Sequence, residues 1–470
     1  MKLPVPCHVV LAVAGSSWLS RPVFADPSPD PPTPLFEIYG TIVPFVEYSK
    51  TSGATRPGST GATEVATYSG VNAPPRFRMD MGTSNLGFRG GVELASDLAV
   101  VWQIESGVQA DGTPVANTIA SRNSQIGVTG SWGTVFAGQW DTPYKWATLP
   151  IVNPIRAGFI PDYNGILSGP GFGVGTVVTQ AGRINAASDA AFYRRQGNSL
   201  QYWSPTVRGL SARLAYSIDE GRTATTPTAP SIKPSIVSAL ASYDQGPLKL
   251  RYAFELHRDY FGMSQLGGSP GDTNANRSSS DLAHKAVAVY THAQAGFDTR
   301  VVGIFEYLRY KNDDTNPGAV AEHSRAAYYA LIDQTLFGSH HVWAAFGQAF
   351  DGACSVVGGG SSCSTQGLGA NMGVLGYIYR ISKNTDFFAA AYRITNKASA
   401  SYSTFPALGG PPAPGADVQG IGIGMLHQFS VTIARGSHPA PHVAPPPPPS
   451  PAPEPAPPPP TPPPPPAPQP

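Results

Sequence analysis

The stretch LKLRYAFELH, residues 248–257, decides the fold. Read alternately, it places Leu248, Leu250, Tyr252, Phe254 and Leu256 on one face and Lys249, Arg251, Ala253, Glu255 and His257 on the other. A period of two belongs to a β-strand, whose successive side chains point to opposite faces. A strand with one apolar row and one charged row separates two media. In a soluble sandwich the apolar row meets a protein core; in a membrane barrel it meets lipid and the charged row lines water. One strand does not choose between these.

Its neighbours discriminate. Sixteen segments between residues 35 and 429 alternate in the same way, more loosely at 122–128 and 299–310. From the second onward they pair through tight turns at 96, 130–133, 205–207, 244–246, 295–296, 337–339 and 383–384, and every other connection is long. Strict short and long alternation puts all the long connections at one end of an up-and-down sheet, the layout of a bacterial outer-membrane barrel. Closure also removes the unpaired edges of so large a sheet. Pro44 lies inside the first strand, where it cannot donate to the ladder, and predicts a bulge.

Composition agrees with strands and long loops. The chain has 470 residues, with 51 Gly and 50 Pro but only 13% charged residues. It has no apolar run long enough after the N-terminus to form a membrane helix, so any crossing is made by strands. Residues 1–25 read as a signal peptide, from Lys2, the apolar stretch at 9–15 and the small-residue signal Val23-Phe24-Ala25. Residues 26–34 form a short Pro-rich segment, 35–429 the barrel and 430–470 a Pro-rich tail. Of the 32 residues from 439 to 470, 21 are proline, which favours a stiff polyproline II spacer. The tail is either a tether with a partner that the sequence does not identify, or a solvated extension.

Removal of residues 1–25 leaves 29 basic against 30 acidic residues, so no basic surplus argues for nucleic acid. Cys354 and Cys363, in a Gly/Ser-rich stretch, read as a loop disulfide or as two free thiols. The common hydrolase, zinc, dinucleotide and phosphate-loop motifs are absent, and no metal or cofactor is expected.

The stretch SNLGFRGGVELASDLAVVWQIESGVQ, residues 84–109, strongly resembles the second hairpin of the general diffusion porins of Gram-negative bacteria, especially the β-proteobacterial type. GSWGTVFAGQWDTPY (130–144) is similar to that family's fifth strand entering its third loop, and GNSLQYWSP (197–205) to the strand leaving it. LGYIYRISKNTDFFAAAYRITN (375–396) and GIGMLHQF (422–429) resemble the closing strands. The resemblance implies an all-β, 16-stranded antiparallel transmembrane β-barrel with an inward-folded third loop, 141–196. It also implies a homotrimer in the outer membrane, in contact with lipid and lipopolysaccharide, passing small hydrophilic solutes and ions without enzymatic activity. Phe429 matches the family's terminal assembly signal, although here 41 residues follow it. An even strand count places that tail in the periplasm.

For the pore, Arg89 and Arg122 match basic wall positions of the family, and strand parity points Arg213, Lys249 and Arg251 inward. The third loop contributes Asp141, Lys145, Arg156, Asp162, Arg183, Asp189, Arg194 and Arg195. The expected field sets basic wall residues against acids on the loop. Asn85, Gln139 and Gln201 stand where the family often has arginine, which weakens the positive side. Tyr48, Trp102, Trp140, Tyr202 and Tyr216 are expected on the outer face, at the headgroup level. Two other readings compete with the channel: a structural or adhesive barrel that anchors the Pro-rich tail, and a secreted carbohydrate-active β-protein.

Overall fold

Each alternating segment hydrogen-bonds to its chain neighbours in antiparallel register, and the last pairs with the first. A computed structural model describes residues 35–54, 72–109, 119–156, 162–172, 175–176, 192–218, 233–262, 279–312, 317–358, 363–404 and 412–434. The strands are β1 (Leu35–Ile42, resumed as Phe45–Ser52), β2 (Arg76–Asp80, resumed as Asn85–Ala95), β3 (Leu98–Gly107) and β4 (Ser124–Gly130). They continue as β5 (Gly133–Asp141), β6 (Arg195–Trp203), β7 (Leu210–Ile218), β8 (Ser235–Gln245), β9 (Leu248–Arg258) and β10 (Ser279–His292). The last six are β11 (Thr299–Asn312), β12 (Val320–Leu336), β13 (His340–Ala349, resumed as Ala353–Val356), β14 (Ala370–Ser382), β15 (Thr385–Asn396) and β16 (Asp417–Ala434). The sheet's nineteen hydrogen-bonded segments thus make sixteen staves, three of them interrupted once. β16 closes the cylinder against β1, with Tyr48 opposite Ile421 and Phe45 opposite Gly424.

The two faces sort as the sequence requires. On β9, Ala253, Glu255 and His257 are buried towards the interior, while Leu250 and Tyr252 are exposed. Apolar side chains exposed on neighbouring strands, among them Leu200, Leu214, Val237, Phe305 and Ile332, form the belt that lipid covers. Tyr48, Trp102, Tyr202 and Tyr216 lie on this outer side. Trp102 packs within 5.9 Å of Phe36, and Tyr202 donates to the Trp132 carbonyl at 2.9 Å.

Trp140 departs from the expected outer position. On β5, Thr134, Phe136 and Trp140 share the buried parity while Ala137 is exposed, so Trp140 faces inward. It is buried against Phe136 and Trp203, with ring centroids 5.3 and 5.9 Å away. The extra residue of the register slip, 138–140 against 196–199, lies on β6, so β5 keeps its alternation and Trp140 its place beside Phe136.

Several strands run past the boundaries expected from alternation. β10 and β12 begin four residues earlier than the pattern, and β16 extends to Ala434, five residues beyond Phe429. β10 and β12 gain their extra residues at the long-connection end, where the inward positions Asp281, Val320 and His323 are buried and polar residues such as Ser280 and Glu322 enter the outer face. The period fades there although the ladder continues. Residues 1–34 and 435–470 lie outside the described residues.

The break at Pro44 is paired across strands. β1 is interrupted at Val43–Pro44 and β2 at the facing residues 81–84. The backbone groups freed there find partners: Val43 N–H donates to Ser84 Oγ at 2.8 Å, and the Pro44 carbonyl accepts from Met425 N–H at 3.0 Å. Cys354, in the resumed segment of β13, is disulfide-bonded to Cys363.

The third loop enters the cylinder. It begins with one helical turn, α1 (Pro143–Trp146), started by Thr142, whose side chain accepts from Lys145 N–H. Tyr144, Trp146, Val152, Ile155, Tyr163, Ile166, Leu167 and Phe192 are buried against inward-facing wall residues such as Ile236, Leu240, Val287, Ile304 and Tyr329. Burying a large apolar side chain contributes about 1.5–3 kcal/mol, so these eight give the loop reason to pack inside.

The ring of Phe429 lies over Gly40 on the outer face, where an added Cβ would come within 2.5 Å of it. Gly40→Val is expected to cost about 1–3 kcal/mol through overpacking. A lowered urea midpoint with unchanged slope, measured on protein in detergent, would show this.

Candidate interior site

Inward-facing positions on β1–β6 carry a continuous row of alternating charges. Glu37 pairs with Arg89 at 2.7 Å, and the Arg89 guanidinium lies over the Tyr39 ring at 5.0 Å. Tyr39 donates to Glu105 at 3.0 Å, and Glu105 holds Arg122 at 2.6 Å. Asn123 donates to Asp141 at 2.9 Å. Asp141 in turn binds Lys145 at 2.7 Å and Arg195 at 3.4 Å. Seven charged side chains, from five strands, the residues just before β4 and the root of the loop, therefore form one network with Tyr39. Arg89 is its most exposed cation, with 32% of the side chain accessible.

Strand parity creates this row. Glu37, Arg89, Glu105 and Arg195 come from strands that meet side by side, with Glu37 opposite Arg89 and Asp141 opposite Arg195. Placed outward, an arginine would cost about 2–4 kcal/mol at the mid-membrane level, so the lumen takes the charge.

Across the interior, a second set of contacts pins the loop. Glu306, on β11 and fully buried, accepts from Tyr144 Oη at 2.6 Å and from Ser168 N–H at 2.6 Å. It also faces Arg325 at 3.3 Å and Lys285 at 3.7 Å. Arg325 donates to the Gly169 carbonyl at 2.9 Å, and Arg300 to the Ile151 carbonyl at 2.7 Å. Arg156, on the loop, makes a two-point bond to Asp386 on β15 at 2.8 Å.

The polarity of this grip differs from the expected one. Acids on the wall, Glu306 and Asp386, hold the loop; the loop's own Asp141 is satisfied by Lys145 and Arg195 rather than by Arg89 or Arg122. Glu306, Lys285, Arg325 and Asp386 were legible only as inward positions on their strands, because their common partner is a loop more than a hundred residues away in sequence.

The remaining candidates fall in three places. Arg213 stacks over Trp203 at 3.7 Å and over Trp146 at 4.6 Å, and Arg194 lies over Tyr260 at 5.0 Å, so both cations pack against aromatic rings. Lys249 and Arg251 sit inward beside the short turn at 246–247, where Arg251 bonds Asp244 at 2.7 Å; this is a mouth of the barrel and not its middle. Asp162 is half-buried within the loop and accepts from Asn164 at 2.9 Å. Arg183 and Asp189 lie outside the described residues. Among the described residues, no group of three or more His, Cys, Asp or Glu is placed to hold a metal ion.

Two loop groups are shifted by their surroundings. Burial pushes the Asp162 carboxyl up to about 6, against hydrogen bonds that favour its charged form. Burial also lowers Lys145 to about 8, although Asp141 pulls the other way.

A closed cylinder of sixteen strands, apolar outside and charged inside with a loop folded through it, defines a transmembrane channel of the outer membrane. The chain belongs to the Gram-negative porin family, whose model matches residues 10–399. Among solved structures, the anion-selective porin from Comamonas acidovorans aligns with a TM-score of 0.61 at 18% identity, covering 84% of this chain and 99% of that one. The outer-membrane protein OmpT of Vibrio cholerae aligns with a TM-score of 0.51 at 14% identity, covering 84% of this chain and 97% of that one. Among curated relatives, chitoporin of Vibrio furnissii is 29% identical over 143 residues, which are 29% of this chain and 32% of chitoporin. The match thus spans about a third of that relative's length.

Truncating Glu306 to alanine leaves Lys285 and Arg325 buried beside a missing acid, and is expected to destabilise the barrel by about 3–5 kcal/mol. Urea titration of the refolded protein measures it. Asp162 gives a pH dependence of definite sign. Its ordinary value is 3.8, so between about pH 4 and 6 the folded protein holds a proton that the unfolded chain has released, and stability falls as pH rises through that window. The loss approaches about 3 kcal/mol from one group. Asp162→Asn should abolish that part of the slope when unfolding midpoints are compared at pH 4 and 6.

Proposed function

We propose that the protein is a passive channel for small hydrophilic solutes and ions. The observation that carries this reading is the row of alternating charges from Glu37 to Arg195 along the inside of a cylinder whose outside is apolar. Diffusion through such a lumen needs no catalytic group; it needs water, a size limit and a field at the narrow point. The inserted loop supplies the limit, and Arg89, Arg122, Lys145 and Arg195 supply cations beside Asp141, Glu37 and Glu105. Asp162, Arg183, Asp189 and Arg194 extend the loop's charge, while Arg213, Lys249 and Arg251 serve the vestibule.

The family resemblance supports three further elements. Three copies assemble into a trimer, residues 1–25 direct export, and Phe429 takes part in assembly although the chain continues into a periplasmic Pro-rich tail. Lipid and lipopolysaccharide surround the wall.

Recordings in planar bilayers test the reading. Detergent-purified protein should give discrete conductance steps, and their absence would remove the channel. Arg89→Gln and Arg122→Gln should each move the reversal potential in a salt gradient towards cation preference. An unchanged reversal potential in both would take these residues out of the selectivity field.

A further inference from the structure

Tyr39 crosses a whole strand of the lumen wall. It stands on β1 opposite Gly87 on β2, which in turn stands opposite Glu105 on β3, so the three share one inward row. Glu37, Arg89 and Gln103 form the next row. A tyrosine reaches a residue two strands away only if nothing rises between them. Gly87 meets that condition: a Cβ built there would lie 2.3 Å from the Tyr39 Cζ and 2.5 Å from its Oη. The ring therefore passes over the Gly87 backbone, and its hydroxyl donates to Glu105 Oε2 at 3.0 Å.

The crossing separates two opposite charges. Arg89 and Glu105 are diagonal neighbours on one face of an antiparallel pair, about 7–8 Å apart at the backbone, a gap that two long side chains can close. Among the described residues they make no ion pair with each other. Arg89 bonds Glu37 through Nε and Nη2, both at 2.7 Å, while Glu105 gives Oε1 to Arg122 at 2.6 Å and Oε2 to Tyr39. The Arg89 guanidinium lies over the Tyr39 ring at 5.0 Å. Gln103, on the other side of Arg89, is turned away, its amide donating to the Asn123 carbonyl at 2.9 Å. Arg89 is thus left with a single carboxylate and remains the most exposed cation of the network.

We propose that Tyr39, seated over Gly87, sets the strength of the Arg89 field: its ring insulates Arg89 from Glu105 and keeps the cation open to the lumen. Tyr39 acts through Arg89 and is a positioning residue for selectivity. Neither it nor Gly87 changes the number of charges in the row, so a count of charges does not reveal the role. Without the ring, Glu105 turns its second oxygen to Arg89, and a guanidinium shared by two carboxylates presents less positive potential to a passing ion. The role rests on the reading of the cylinder as a channel.

Two measurements on the full-length, detergent-purified protein test the role. The rate at which phenylglyoxal modifies Arg89, followed by peptide mass spectrometry, reports how open the guanidinium is. The reversal potential in a potassium chloride gradient reports its field. Tyr39→Leu should slow the modification of Arg89 about two- to fivefold, the protection that one partly exposed ion pair gives. It should also move the reversal potential towards cation preference, in the direction of Arg89→Gln. Gly87→Ala keeps every charged and aromatic group and only lifts the ring; it should act in the same direction to a smaller extent, and it serves if the leucine variant does not assemble. Tyr39→Phe, which retains the ring, should be modified faster than Tyr39→Leu. In a Glu105→Gln background the effect of Tyr39→Leu should disappear, because the competing carboxylate is gone. Unchanged or faster modification of Arg89 in both Tyr39→Leu and Gly87→Ala overturns the role. So does an effect of Tyr39→Leu that persists in full beside Glu105→Gln, which would mark lost packing alone. Modification slowed by Tyr39→Leu in a protein that gives no conductance steps would sink the channel and leave the insulating contact standing.

Discussion

The constraint on which this structure depends is the hydrogen-bonding demand of the peptide group in hydrocarbon. No water is available there to satisfy an open sheet edge, so a chain that crosses with strands must return the last strand to the first. The pairing of β16 with β1 is that closure. It explains why even the awkward position of Pro44 is tolerated: the break in β1 is matched by one in β2, and the Ser84 hydroxyl and Met425 amide take up the backbone groups released. A flaw in the ladder is admitted only with local partners.

Closure creates an inside that must be wet or filled, and this protein does both. On the side of β1–β6 the wall is lined by paired charges, which are costly to bury and are therefore kept in a connected network. On the side of β8–β15 the interior is occupied by the aromatic and aliphatic side chains of the third loop. Glu306 joins the two regimes. A buried carboxylate is tolerable only with partners, and it obtains them from a tyrosine and a backbone amide of the loop and from two wall cations. The loop is thereby fixed by polar contacts that specify its place and by apolar contacts that stabilise it there.

The outer wall follows the opposite rule, apolar by default. That default gives meaning to the exceptions at the outer end of β9–β11, where cations that make no ion pair among the described residues stand immediately above a row of rings. The same parity that sends Glu255 and Lys285 to the lumen sends Arg258 and Lys311 to the lipid side, and only their depth along the strand makes that position acceptable.

Much of this was legible in the sequence by itself. The period of two at 248–257, the strict alternation of short and long connections and the strand count determine a closed barrel, because those patterns report which face is oily and how far the chain travels between strands. Inward placement of Arg213, Lys249 and Arg251 follows from parity alone, whereas that of Arg89 was implied by the family resemblance. Three things were decided only in three dimensions. Trp140 lies inside, on the parity of Phe136, because the interior offers the indole the rings of Phe136 and Trp203. Strand ends moved outward because the ladder continues where buried polar residues such as Asp281 and His323 interrupt the amphipathic pattern. And the loop's anchors, Glu306, Arg325 and Asp386, emerged only when strands distant in sequence enclosed one space, since a contact between a loop and the far wall leaves no local period to read.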